Sequence, residues 1–373
     1  MTKPPWPSQR SRSLDTRPAD RAALEASGGG YWRHDILDFA FLRNMHFPTP
    51  EMLAELAADL PELLWNYGSN QETLDALVAD FVGCDARHIV ALNGLSQIYP
   101  WLADQLAQAP AGDILVPAPT FGEYRRVFPN HIAYRDDFAA PDLDALAQRA
   151  ARALIFVNPN NPTGTTLSSA RLLRLADERR DVRIIVDESF IRFSSEPSLI
   201  SLVHSDRRDN LVVLASLSKD LGLPGVRLGF AYSTDHAFTT ALRKAIPIWN
   251  LNSIAERMLE LATRERAQFE RSLSLTAADR AVLAFALGQL DGVVARPSGA
   301  NFIVASLPCD PAATAAIADR LLADNGILVK DISPRIGDGH GHLRLAVRTG
   351  ADHARLVAAL EPLLRLTAAR STR

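Results

Sequence analysis

Three apolar, largely β-branched runs that each end abruptly in polar residues constrain this chain more than any other feature. Leu154 to Val157 runs into a turn-rich stretch from Asn158 to Gly164, Val182 to Val186 stops at Asp187 and Glu188, and Leu211 to Ala215 stops at Ser216. Short continuous apolar runs suit strands buried on both faces, as in a parallel sheet covered by helices. Polar side chains just past such strands stand at their carboxyl ends, where open α/β sheets bind ligands.

The third run delivers Ser216, Ser218 and Lys219, followed by Gly222, Pro224, Gly225 and Arg227. A lysine amine forms a Schiff base with a cofactor aldehyde, while two hydroxyls and a fork-shaped cation suit a phosphate. The segment therefore offers what a pyridoxal phosphate site needs. Asp187 is the matching carboxylate, able to keep a pyridine nitrogen protonated. Alone, the segment reads equally as a solvated lysine and a surface arginine around a glycine-rich turn; the two upstream runs take it out of isolation.

Further along, Asn93, Gly94, Leu95 and Ser96 precede apolar residues at helical spacing, Ile98, Trp101, Leu102 and Leu106. Their N–H groups and Ser96 suit an anion at a helix N-terminus, and Ser96 reads equally as a plain N-cap. His342 to Arg348 reads as an exposed-edge strand with Arg344 and Arg348 on one face.

In this order and at this spacing, the blocks resemble the fold-type-I family of pyridoxal phosphate enzymes, specifically the class I/II aminotransferases. The likeness is to the group of histidinol-phosphate aminotransferases and threonine-phosphate decarboxylases, and it runs from about residue 35 to the C-terminus. It implies an α/β chain with a large, mostly parallel-sheet domain sandwiched by helices and a smaller α+β C-terminal domain. The boundaries it suggests are an arm at 1–48, a pyridoxal phosphate domain at 49–248 and a small domain at 249–373. By the same likeness, Lys219 is the Schiff-base lysine and proton shuttle, Asp187 holds the ring nitrogen and Asn161 the ring oxygen. Phe121 stacks on the cofactor face, unless it is an ordinary core aromatic. Ser96, Ser216, Ser218 and Arg227 hold the phosphate. Tyr67 reaches the neighbour's phosphate in a homodimer, or packs locally as a turn aromatic. Arg344 pairs with the substrate α-carboxylate, and Arg348 reads as either a second substrate cation or half of a salt bridge.

Departures from the family pattern bear on the reaction. Phe190 stands where histidinol-phosphate aminotransferases carry tyrosine and matches threonine-phosphate decarboxylases, as do the run from Phe121 to Tyr124, the paired arginines and Trp249 to Asn252. The loop from Asp38 to His46 differs from both: Asn44 is kept, Leu42 replaces a polar group and Arg43 adds a cation. Arg43, Arg344 and Arg348 together would give more than one anion site. The expectation is an aminotransferase acting between an L-amino acid, with a phosphate, phosphonate or other anionic side chain among the candidates, and a 2-oxo acid in a biosynthetic pathway. The alternative is a decarboxylase of the threonine-phosphate type.

At 373 residues the chain exceeds what one core usually fills, which fits two domains. A net charge of -3 makes no electrostatic case for nucleic acid or an anionic membrane. Cys84 and Cys309 lack metal-ligand spacing, and the nine histidines form no ligand motif, so no metal is expected. No apolar run is long enough to span a membrane and residues 1–30 lack a signal-type stretch, so a cytoplasmic protein is expected, with Pro4, Pro5 and Pro7 in a disordered or dimer-draped arm.

Overall fold

The computed structural model describes residues 20–108, 113–203 and 207–371; the prolines at the start of the arm lie outside them. It divides into two compact units, His46–Ser274 with Ser298–Ala300, and Met1–Met45 with Leu275–Pro297 and Asn301–Arg373.

In the first unit the three apolar runs become neighbouring parallel strands, Ala151–Val157, Arg183–Asp187 and Leu211–Ala215. They form the middle of a seven-stranded sheet ordered Ile89–Leu92, Gly229–Tyr232, Leu211–Ala215, Arg183–Asp187, Ala151–Val157, Asp113–Ala118, Ile132–Arg135. Gly229–Tyr232 is antiparallel to both of its neighbours. Side chains alternate between two cores because successive strand residues point to opposite faces. Leu154, Phe156, Ile184, Val186 and Val213 pack with Leu74, Val78 and Met258 from helices on one face. Ile155, Ile185, Val212 and Leu214 pack with Ile98, Leu102 and Leu242 from helices on the other. Each such side chain taken wholly out of water contributes roughly 1.5–3 kcal/mol. Turn chemistry sets the helix ends: Asn70 accepts from the Thr73 N–H to start Gln71–Val82, and Gly83, at φ +84°, closes it.

The second unit contains a four-stranded antiparallel sheet ordered Lys330–Asp331, Gly341–Ala346, Phe302–Leu307, Val294–Arg296. One face is apolar: Ile303, Ala305, Leu343 and Leu345 pack with Leu321, Leu356 and Leu360. The segment before Met45 is stitched on by parallel pairing of Leu37 and Asp38 with Ile327 and Leu328. The strand carrying Arg344 is internal to this sheet, which corrects the edge position expected from its sequence. Its alternation of Leu343 and Leu345 with His342 and Arg344 marks a strand with one apolar face, and that pattern is shared by internal and edge strands. The strand ends at Ala346, so Arg348 lies beyond it. Among the described residues no helix is long and apolar enough to cross a membrane, and no cluster of three or more His, Cys, Asp or Glu could hold a metal.

Candidate active site

The sheet register sets Asp187, the last residue of its strand, beside Leu214, and Lys219 follows in the short helix Leu217–Asp220. Lysine and carboxylate thus leave adjacent parallel strands at the same edge. Asp187 is buried, and its two oxygens are separately engaged: Oδ2 accepts the Tyr124 phenol at 2.8 Å and Oδ1 the Ser189 N–H at 3.0 Å. Desolvation raises its pKa, against which these hydrogen bonds and the Lys219 charge favour the anion.

Two loops are fixed to one another beside this pair. Buried Asn160 accepts from Thr120 Oγ1 at 2.9 Å and donates to the Pro119 carbonyl at 2.9 Å. The segment leading to Phe121 is thereby tied to the loop carrying Asn161. Phe121 is 39% exposed at the N-cap of Gly122–Val127, unlike a core aromatic, and Tyr124 lies in that helix, fully buried.

A third constellation suits a phosphate. Ser96 is exposed in the turn Leu95–Gln97 that leads into the helix Ile98–Gln108. Arg227 Nη2 donates to Ser96 Oγ at 3.4 Å, and Nη1 to the Pro224 carbonyl at 3.1 Å. Ser216 stands half-buried at the N-cap of the lysine helix without capping it through its side chain. Ser218 points inward instead: its hydroxyl donates to the Leu228 carbonyl at 3.1 Å and accepts the Leu228 N–H at 3.0 Å. That hydroxyl is spent on fastening the lysine turn to the next strand. A lysine amine, a buried, hydrogen-bonded carboxylate, an exposed aromatic face, and a hydroxyl paired with a guanidinium are the donor set that an aromatic aldehyde phosphate requires, so the residues fit such a cofactor. Tyr67, 77% exposed, stacks on Trp249 with ring centroids 4.2 Å apart.

In the other unit Arg344 is half-buried, donates Nη2 to the Ala40 carbonyl at 2.6 Å and lies over the Phe302 ring. Burial, together with the nearby Arg335 cation, lowers its pKa to about 10, a penalty that an anion would relieve. Arg348 pairs with Asp352 at 3.0 Å and donates to the Asp38 carbonyl at 2.9 Å. Arg43 reaches the surface, but neighbouring atoms shield part of its guanidinium, and that desolvation and then the Arg348 charge lower its pKa. Asn44 is buried and accepts from Thr276 Oγ1 at 3.3 Å, facing its own unit's interior. Sequence reasoning passed over Tyr124, Asn160 and Arg335. Only Tyr124 left a signal, standing three residues after Phe121, one helical turn on.

Residues 43–362 match the model of the family described as aminotransferase class I and II. The CMP-5'-(3-aminopropyl)phosphonate synthase of Streptomyces rubellomurinus is 33% identical over 91% of this chain and 55% of its own length, so the chain spans little more than half of that relative. The L-serine phosphate decarboxylase of Sulfurospirillum multivorans is 30% identical, over 82% of this chain and 81% of that one. Among solved structures, histidinol-phosphate aminotransferase from Sinorhizobium meliloti in complex with pyridoxal-5'-phosphate superposes with a TM-score of 0.77 at 20% identity, covering 96% of this chain and 99% of that one.

Proposed function

Because the chain belongs to the class I and II aminotransferase family, we propose that it is an aminotransferase moving an amino group between an L-amino acid with an anionic side chain and a 2-oxo acid. Its cofactor is pyridoxal 5'-phosphate. The observation that carries the reading is the placement of Lys219 and Asp187 on adjacent parallel strand ends, with the lysine charge acting on a buried, hydrogen-bonded carboxylate.

When bound, the cofactor supplies an electron sink conjugated to the substrate's amino nitrogen. Lys219 Nζ, a base delivered by the short helix Leu217–Asp220, would carry the proton from the substrate α-carbon to the cofactor's aldehyde carbon. Asp187 holds the positive charge of the ring nitrogen, Asn161 the ring oxygen, and Phe121 one ring face. Arg227, Ser96 and Ser216 hold the phosphate. Arg344 receives the substrate α-carboxylate, where a fork-shaped donor fixes orientation as well as charge. Arg43 favours a second negative charge on the substrate, which agrees with relatives named for a phosphonate and a serine phosphate, while the Arg348 charge is already met by Asp352. The reading includes a cytoplasmic homodimer, supported by Leu64, Trp65, Tyr67 and Ile248, each at least 67% exposed.

A second reading, decarboxylation of a phosphorylated amino acid, is favoured by Phe190 and by the serine phosphate decarboxylase relative. Single-turnover assays with phospho-, phosphono-, acidic, basic and neutral amino acids separate the two. Conversion of the cofactor to its amine form with a 2-oxo acid product supports transamination; carbon dioxide with the aldehyde form regenerated replaces it with decarboxylation. Lys219→Ala should abolish either reaction, and retained turnover would refute the assignment of the lysine.

A further inference from the structure

We infer that Tyr124 is a positioning residue, a buried phenol behind Asp187 that keeps its carboxylate ionised and so keeps the proton on the cofactor's ring nitrogen. This rests on Asp187 being the partner of that nitrogen.

The geometry is closed and buried. Tyr124 gives its single hydroxyl proton to Asp187 Oδ2 at 2.8 Å, and the Tyr99 ring packs beside it. The two rings meet edge to face at 5.3 Å, which fixes the angle at which the Tyr124 hydroxyl points. Tyr124 is 0% exposed, so bulk water does not reach its hydroxyl. It sits one helical turn beyond Phe121, so the helix that starts at the proposed ring-face residue also delivers the phenol to the carboxylate.

The chemistry follows from burial. Desolvation drives a carboxyl toward its neutral form, and a neutral Asp187 would hold the proton that the ring nitrogen needs. Ser189, Tyr124 and Lys219 oppose this, and the neighbouring Glu188 carboxyl does not help. Of these, the Tyr124 phenol is the side chain seen donating to the carboxylate, and removing it touches neither the backbone nor the reacting lysine.

The test uses the whole enzyme loaded with pyridoxal phosphate carrying nitrogen-15 in the ring, and in parallel with the 1-deaza analogue, where carbon replaces that nitrogen. Tyr124→Phe should move the ring nitrogen signal from the protonated toward the unprotonated position and lower kcat roughly tenfold or more with the native cofactor. The residual turnover of the analogue-loaded enzyme should change little, because no ring nitrogen is present to respond. Tyr124→His, which keeps a donor at this position, carries the comparison should Tyr124→Phe not fold: its ring nitrogen signal should lie nearer the wild-type position than that of Asp187→Asn. An unmoved nitrogen signal in Tyr124→Phe, or equal losses with both cofactors, reduces the tyrosine to packing and overturns the inference. A wild-type ring nitrogen that is unprotonated, or one that Asp187→Asn leaves unchanged, removes Asp187 as the ring partner and the role of Tyr124 with it.

Discussion

The Arg227 guanidinium fills the space that a side chain at Gly94 would need: a Cβ on Gly94 would lie 2.4 Å from Nη2 and 2.9 Å from Cζ. Both residues are in the left-handed region, at φ +71° and +62°. For the arginine that conformation costs on the order of 1 kcal/mol, a strain that holds its side chain against Ser96. Gly94→Ala should displace the guanidinium and weaken pyridoxal phosphate binding by roughly ten- to hundredfold, read from absorbance titrations of the cofactor-free protein. A folded variant with unchanged affinity would take Arg227 off the phosphate.

Arg344→Lys keeps the charge and loses the fork. If Arg344 meets the α-carboxylate, KM for the amino donor should rise roughly tenfold or more while cofactor affinity stays constant. Steady-state kinetics beside a cofactor titration checks both, and an unchanged KM would return Arg344 to a purely structural role under the Phe302 ring.

The central strands were legible because Leu154 to Val157, Ile184 to Val186 and Leu211 to Ala215 are too apolar for anything but burial on both faces, and the polar residues after them had to emerge at one edge. Other features depend on tertiary placement. Tyr124 meets Asp187 across 63 positions of sequence, through the register of strands that no local pattern states. The inward turn of Ser218 toward Leu228 is a rotamer choice, invisible in the residue type. The strand bearing Arg344 gained a partner from Lys330 and Asp331, two residues without strand character, and so appeared to lie at an edge.

Tyr67 and Trp249 stack while remaining 77% and 49% exposed, an arrangement that leaves a rigid aromatic plate facing outward. Tyr67→Ala combined with Trp249→Ala should weaken self-association by roughly tenfold or more, measured by sedimentation across a concentration series. A wild-type chain that sediments as a monomer throughout would remove the homodimer from the proposal.

Asp136 is 1% exposed, and desolvation, only partly offset by the nearby Thr165 and Asn160 side chains, pushes its carboxyl up to about 7. In the unfolded chain it titrates near 4, as an ordinary aspartate does. Between about 4 and 7 the folded protein therefore holds a proton that the unfolded chain has released, and this group's stabilising contribution, complete below about 4, is lost as pH rises through the folded value. Glu188 and Asp220, also pushed up to about 7 by burial, act in the same direction, so the wild type alone cannot isolate Asp136. Asp136→Asn keeps the shape and removes one titration. Both proteins share the other two carboxyls, so the difference between their Tm values should move in favour of the variant as pH rises from 5 to 8, whatever the sign of that difference at pH 5. Parallel Tm curves would mean that Asp136 is already ionised in the folded protein at pH 5.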